Sequence, residues 1–383
     1  MGRRTRVLAV VGTRPEAIKM FSPVRALRER EAAFETIVCS SGQHSELLSD
    51  ALSTLGLEVD HDLGVMRHDQ EPMDVATTMI SWVAELCRDL EPDVVLVQGD
   101  TMTTMAAGLG AFYSHAAVAH VEAGLRTYDN DAPWPEEANR RIVGAVADLH
   151  FAPTELAASN LLREGVASDR VHVTGNTGID ALHWVLAQPR PAPAAAERRV
   201  VITAHRRESI PDGVEAIARA VRTLARRYTN VRFQFVLHPA PAIEPAVLDA
   251  LGPDRPENID LVPPCGYVEF VHMLAGSFLI LTDSGGIQEE APALGKPVLV
   301  VNRRTERQEA VAAGTAQIVG TTEDEIVAAA TRLFEDPDQY RRMATRHDPY
   351  GDGQAGERIA GVLVDNADFL RRPAARQRAR ALA

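Results

Sequence analysis

The residues best suited to chemistry sit where short apolar runs end. Asp100 follows Val94-Val95-Leu96-Val97-Gln98-Gly99, Glu122 follows Ala117-Val118-Ala119-His120-Val121, and Glu136 follows Pro133-Trp134-Pro135. A carboxylate at the end of a buried strand is costly to desolvate unless it binds something. Asp100 and Glu122 therefore point to a ligand bound at the edge of the sheet. Glu136 has a second explanation, because acids are favoured at helix N-termini and Arg140 lies one turn on. Other residues suit an anion. Arg14 and Lys19 come just after Val11-Gly12-Thr13, where a strand meets a helix and a phosphate or carboxylate would fit; a plain turn with surface basics is the alternative. In Leu281-Thr282-Asp283-Ser284-Gly285-Gly286, the Ser284 hydroxyl and the amides of Gly285 and Gly286 form a cradle for a diphosphate at a helix start. A tight turn with a serine cap is the bland version. No Gly-Lys-Ser/Thr follows, so this is not a Walker loop. Glu290, further along that helix, suits ribose hydroxyls or simply faces solvent. His205 and Arg206, followed by Arg207, favour an anionic ligand at another strand end.

The elements that must hold these residues alternate. Strands are predicted over Arg6–Val11, Glu35–Ser40, Asp93–Val97 and Ala117–Val121. Between them lie helices from Pro15 to about Arg30, from about Ser45, near Asp74–Leu90, from Thr101 and near Glu136–Val146. A second series starts at Val200–Thr203, with a helix over Gly213–Tyr228 and further strands over Val231–Leu237, Phe278–Leu281 and Pro297–Val301. Strands alternating with helices make parallel sheets covered on both faces, whose ligands bind at the carboxyl ends of the strands. Asp100, Glu122, Arg14 and Lys19 would share one such edge, and Ser284, His205 and Arg206 another.

Length and composition agree. The 383 residues exceed one typical core and favour two domains, and 45% hydrophobic with 24% charged residues is ordinary for a globular chain. The formal net charge of −13 speaks against nucleic acid or an anionic membrane as a partner. No apolar stretch approaches the roughly 20 residues that span a bilayer, and the basic start is followed by too short an apolar run for a signal peptide. A cytoplasmic protein is expected. Three scattered cysteines suggest neither disulfides nor a zinc site. The Pro- and Ala-rich stretch from Gln188 to Arg199 reads as an interdomain linker.

Taken in order, the motifs resemble the non-hydrolysing UDP-N-acetylglucosamine 2-epimerases over essentially the whole chain. They are Gly-Thr-Arg-Pro-Glu-Ala-Ile-Lys (12–19), Gly-Asp-Thr (99–101), His-Val-Glu-Ala-Gly-Leu-Arg-Thr (120–127), Pro-Trp-Pro-Glu-Glu-Ala-Asn-Arg (133–140), Thr-Gly-Asn-Thr (174–177), His-Arg-Arg-Glu (205–208) and Thr-Asp-Ser-Gly-Gly-Ile-Gln-Glu-Glu-Ala-Pro (282–292). The resemblance implies an α/β fold of GT-B-like type, two Rossmann-type doubly wound domains with a cleft between them. Residues 1–174 would form the first and 175–354 the second, with a C-terminal helix of about 355–370 packing back on the first and 371–383 a tail; this replaces the Pro- and Ala-rich linker. It also implies a homodimer, a UDP-sugar substrate, and no metal or other cofactor.

The family reaction inverts C2 of UDP-GlcNAc by eliminating UDP to a 2-acetamidoglucal and adding it back. By resemblance the catalytic set is Asp100, Glu122, Glu136 and His205, with Arg14, Lys19, Arg140, Ser284, Gly285, Gly286, Glu290 and Arg307 binding substrate. Gln43, Arg206 and His238 match a second, regulatory UDP-GlcNAc site, where Glu136 also falls. Ser45, Asp69 and Ala240 depart from that site's usual residues, so activation by UDP-GlcNAc is expected to be weak or absent. The segment Asn302–Glu309 departs from the family's Arg-Asp-Thr-Thr-Glu-Arg-Pro-Glu but keeps Glu306 and Arg307. The competing readings are a hydrolysing relative, a GT-B glycosyltransferase, which gives no reason for three acids, and a non-catalytic UDP-sugar sensor.

Overall fold

A computed structural model describes residues 3–42, 46–64, 72–189, 198–204 and 212–371. The chain divides into two compact units, Met1–His183 with the segment from Tyr350 onward, and Trp184–Pro349.

The first unit carries strands β1 (Thr5–Val11), β2 (Phe34–Ser40), β3 (His61–Asp62), β4 (Val94–Gln98), β5 (Ala117–Val121), β6 (Leu149–Ala152) and β7 (Val171–Val173). They form one sheet in the order β3-β2-β1-β4-β5-β6-β7, with every pairing parallel. The central strand β4 is buried along its whole length, which is why its sequence is an unbroken apolar run rather than an alternating one. The chain winds outward from β1 to β3 and then returns to β4 on the other side of β1. The β1–β4 boundary is thus the topological switch point, the place where sheets of this kind bind their ligands.

The second unit repeats this plan. Strands β8 (Arg198–Thr203), β9 (Val231–Val236), β10 (Ile259–Val262), β11 (Leu279–Thr282), β12 (Val298–Val300) and β13 (Ala316–Ile318) pair in parallel in the order β10-β9-β8-β11-β12-β13. Its switch point lies between β8 and β11. A hydrogen bond of 2.6 Å between the Thr203 and Thr282 hydroxyls joins the last residues of those two strands. The core beside this sheet gathers Phe233, Phe235, Val221, Leu224 and Ile326, all buried.

The division of the chain falls inside the Thr177–Leu186 helix, later than Thr174–Thr177 and earlier than the Pro- and Ala-rich stretch. Local bonding accounts for the position. The Asn176 amide donates to the Tyr350 carbonyl at 2.7 Å, and Asp180 accepts from the amides of Ala355 and Gly356 at 3.1 and 2.8 Å. The start of that helix is therefore tied to the returning C-terminal segment. The Ala355–Asp365 helix then packs on the Arg14–Arg28 helix so closely that a Cβ on Gly356 would lie 2.5 Å from the backbone of Ser22. A break at Asn366 separates it from the short helix Ala367–Leu370. Among the described residues no helix is long and apolar enough to cross a membrane.

Candidate active site

The turn after β1 is built by close approach and by capping. A Cβ on Gly12 would lie 2.2 Å from Thr103 Oγ1 and 2.6 Å from Ser41 Oγ, so only glycine fits there. Thr13 caps the Arg14–Arg28 helix in a capping box with Glu16, and a proline occupies its first turn. Arg14 thereby begins the helix, and Lys19 sits a little over a turn further along it. The Lys19 ammonium pairs with the Glu122 carboxylate, both side chains being largely buried.

Asp100 leaves β4 after Gly99, whose φ of 77° lies in the left-handed region. Its carboxylate accepts from Arg140 Nε at 2.9 Å, and its backbone carbonyl accepts from Asn139 Nδ2 at 2.9 Å. Glu122 leaves the adjacent β5 with φ 62°, a conformation that strains a residue carrying a side chain by about 1–3 kcal/mol. Strain of this kind persists where the surroundings over-determine the backbone, and here it accompanies a buried acid paired with a lysine. His120, two residues earlier, is 1% exposed, and its Nε2 donates to the Gly99 carbonyl at 2.7 Å. Burial pushes its pKa down to about 3, so the ring is neutral and the carbonyl fixes its proton on Nε2.

Glu136 opens the Glu136–Val146 helix and is half-buried. Its neighbour Glu137 is fully buried. Glu137 accepts from the backbone amides of Thr127 and Tyr128 at 3.0 and 3.1 Å and pairs with Arg140 Nη1 at 3.0 Å. Arg140 is therefore gripped by Asp100 and Glu137, one from the β4 turn and one from its own helix. The Pro-Trp-Pro-Glu-Glu motif thus carries a structural acid beside its half-buried one.

In the second unit Ser284 precedes the Gly285–Ala293 helix and makes no side-chain cap of its own. Its amide donates to the Thr282 hydroxyl at 2.9 Å. A Cβ on Gly286 would meet nothing within 4 Å, so the space beside this first-turn residue is open. A Cβ on Gly285 would meet the Arg307 guanidinium carbon at 2.9 Å. That guanidinium lies against the helix start, held by Glu289 Oε1 at 2.9 Å and by Glu306. Glu290 accepts from the Tyr267 hydroxyl at 3.0 Å, and His238, just past β9, accepts from the Ala240 amide at 3.1 Å.

The structure brings Asp100 together with Arg140, and Glu122 with Lys19, while Glu136 begins the helix that supplies Arg140. It places Arg307 on the Ser284–Gly286 turn. His205, Gln43 and Arg206 lie outside the described residues, as do Ser45 and Asp69. Four acids and bases of these clusters were not singled out in the sequence: Glu16, His120, Glu137 and Glu289. Only Glu16 had a local signal, its capping-box spacing from Thr13. The burial of the other three depends on partners that are remote in the chain or not readable from it.

Two parallel sheets, each with polar and charged groups collected after the strands at its switch point, define a GT-B-like protein of the doubly wound α/β class. Within that class a family model described as UDP-N-acetylglucosamine 2-epimerase matches residues 25–364. The UDP-N-acetylglucosamine 2-epimerase of Salmonella typhimurium is 45% identical over 94% of this chain and 98% of its own length. That of Escherichia coli K12 is 44% identical over 94% and 99%. A crystal structure of UDP-GlcNAc 2-epimerase from Neisseria meningitidis bound to UDP-GlcNAc superposes with a TM-score of 0.90 at 43% identity, covering 94% of this chain and all of that one. The chain belongs to the UDP-N-acetylglucosamine 2-epimerase family.

Proposed function

We propose that the protein interconverts UDP-GlcNAc and UDP-ManNAc as a non-hydrolysing 2-epimerase. The observation that carries this reading is the pair of strand-end carboxylates, Asp100 and Glu122, on neighbouring strands, each paired with its own largely buried cation. In the forward half-reaction a base takes the C2 proton, the C–H electrons form the C1=C2 bond, and UDP leaves with the electrons of the C1–O bond. In the second half a UDP oxygen attacks C1 and a proton is delivered to the other face of C2. Two faces need two proton-handling groups. Asp100, Glu122 and Glu136 are the candidates, and the ion pairs with Arg140 and Lys19 fix the first two in place.

Departing UDP gathers negative charge, which preorganised donors stabilise. The Ser284–Gly286 turn with Arg307 provides such donors in the second unit, and Arg14 and His205 are further candidates by the positions they match in the family. Glu290, oriented by Tyr267, would hold the ribose. The acids collected at the sheet edge also favour this reading over a glycosyltransferase, which gives no reason for them. The same reading makes the protein a cytoplasmic homodimer that needs no metal. Light scattering that returned the mass of one chain would remove the dimer.

The test is incubation of the protein with UDP-GlcNAc in heavy water, followed by NMR. UDP-ManNAc should appear and C2 should acquire deuterium. Epimerisation with full retention of the C2 proton rules out the elimination. Free ManNAc and UDP as first products would make it a hydrolysing enzyme instead.

A further inference from the structure

Glu16 is 1% exposed, and no cation pairs with it among the described residues. Its Oε2 accepts from the amides of Gly12 and Thr13 at 3.1 and 2.6 Å. Its Oε1 lies 2.7 Å from Thr101 Oγ1 and 3.0 Å from Thr104 Oγ1. These partners belong to the turns after β1 and β4, so a single carboxyl group bridges the switch point of the first sheet.

A threonine hydroxyl has one proton. The Thr104 hydroxyl is 2.5 Å from the Gln98 carbonyl, which can only accept, so its proton points there. Thr101 Oγ1 accepts from the Thr104 amide at 3.1 Å and directs its own proton to Glu16 Oε1. If Glu16 were ionised, its Oε1 and Thr104 Oγ1 would face each other at 3.0 Å with no proton left between them. A proton on Oε1 closes the circuit: Glu16 donates to Thr104, Thr104 to Gln98, Thr101 to Glu16, and the second carboxyl oxygen takes both amides. Three protons then serve three of the four contacts, and only the 3.1 Å approach of the Thr101 and Thr104 hydroxyls is left without one, whereas an ionised Glu16 would leave two contacts without a proton.

We propose that Glu16 is held as a neutral carboxylic acid and acts as a positioning residue, its carbonyl oxygen fixing the turn that carries Arg14 and its hydroxyl fixing the turn that carries Asp100. Burial, which raises its pKa, acts in the same direction. The positioning role rests on the proposed active site, whereas the protonation does not.

Two measurements test it. In the infrared difference spectrum of wild type minus Glu16→Gln at neutral pH, a protonated-carboxyl band should be lost; loss of a carboxylate band instead overturns the proposal. Glutamine comes nearest to the neutral acid: its Nε2 donates to Thr104 where Oε1–H did and also to Thr101, whose own proton turns to Thr104 Oγ1 at 3.1 Å. Glu16→Gln should therefore keep kcat and KM for UDP-GlcNAc within about threefold, while Glu16→Leu, which can neither donate nor accept, should lower kcat/KM at least about tenfold. Equal damage in both variants overturns the neutral acid. If Glu16→Leu does not fold, Thr101→Val takes its place, and unchanged turnover in that variant overturns the positioning. A wild type without epimerase activity removes only the positioning role, since the infrared band still decides the protonation.

Discussion

Glu136 and Glu137 are adjacent, chemically identical, and in different situations. Glu137 is buried against Arg140 and two backbone amides, while Glu136 is half-buried at the helix start. Removing one partner of a buried ion pair leaves an uncompensated charge and costs about 3–5 kcal/mol. Because Arg140 keeps its pair with Asp100, Glu137→Gln should destabilise the protein by less than that, seen as a lowered midpoint in urea unfolding. Glu136→Gln should reduce turnover by roughly a hundredfold, as for a group that moves a proton. The converse pattern, in which Glu136→Gln keeps full activity and loses stability, would make Glu136 a helix-capping acid only. Nothing in the Glu-Glu dipeptide distinguishes the two. The difference is made by the Thr127–Tyr128 backbone, which a local pattern does not reveal.

At the scale of elements, the strand-to-helix turns were legible and their bracing was not. The apolar runs ending in Asp100 and Glu122 become β4 and β5, and the Gly285–Ala293 helix starts at the Ser-Gly-Gly turn as its residue types imply. Short strands such as His61–Asp62 and Ala316–Ile318 escaped, because two or three residues carry no period. The Arg307 guanidinium against Gly285 escaped as well, being a contact between segments distant in the chain. That contact separates two glycines that look alike. In Gly285→Ala the new methyl group would collide with Arg307, displacing it and unsettling the turn, so both thermal stability and UDP affinity should fall. In Gly286→Ala it enters open space, so stability should be unchanged or slightly raised by the better helix former. If that open space takes the diphosphate, UDP should still bind Gly286→Ala about tenfold or more weakly, since the close approach of backbone amides to phosphate is lost. Calorimetry of UDP binding beside a thermal melt reads both quantities. Wild-type affinity in Gly286→Ala would show that the phosphate lies elsewhere.

At the scale of the molecule, three buried titratable groups of the first unit set opposing slopes of stability against pH. His120 and His150 are register partners on β5 and β6, and burial pushes them down to about 3 and about 4 from 6.5. As pH falls below 6.5 the unfolded chain takes up protons that these folded residues refuse. Each ring therefore removes about 1.4 kcal/mol of stability per pH unit, until its folded value is reached. Glu16 works the other way. Its folded pKa lies above 4.5, so as pH rises past 4.5 the unfolded chain releases a proton that the folded chain retains, and stability declines until the folded value is passed. Both effects belong to the unit formed by Met1–His183 and the segment from Tyr350 onward. If the two units unfold in separate transitions, only that unit's transition should carry these slopes. Urea unfolding of wild type, His120→Gln and Glu16→Gln across pH 4.5 to 8 reads them directly. The stability difference between wild type and His120→Gln should shrink as the solution is acidified, because the variant no longer has the ring that resists protonation. The difference between wild type and Glu16→Gln should move in favour of the variant as pH rises. A His120→Gln difference that stays constant with pH would mean that His120 titrates alike in the folded and unfolded chain, and its burial against the Gly99 carbonyl would then not be what keeps it neutral.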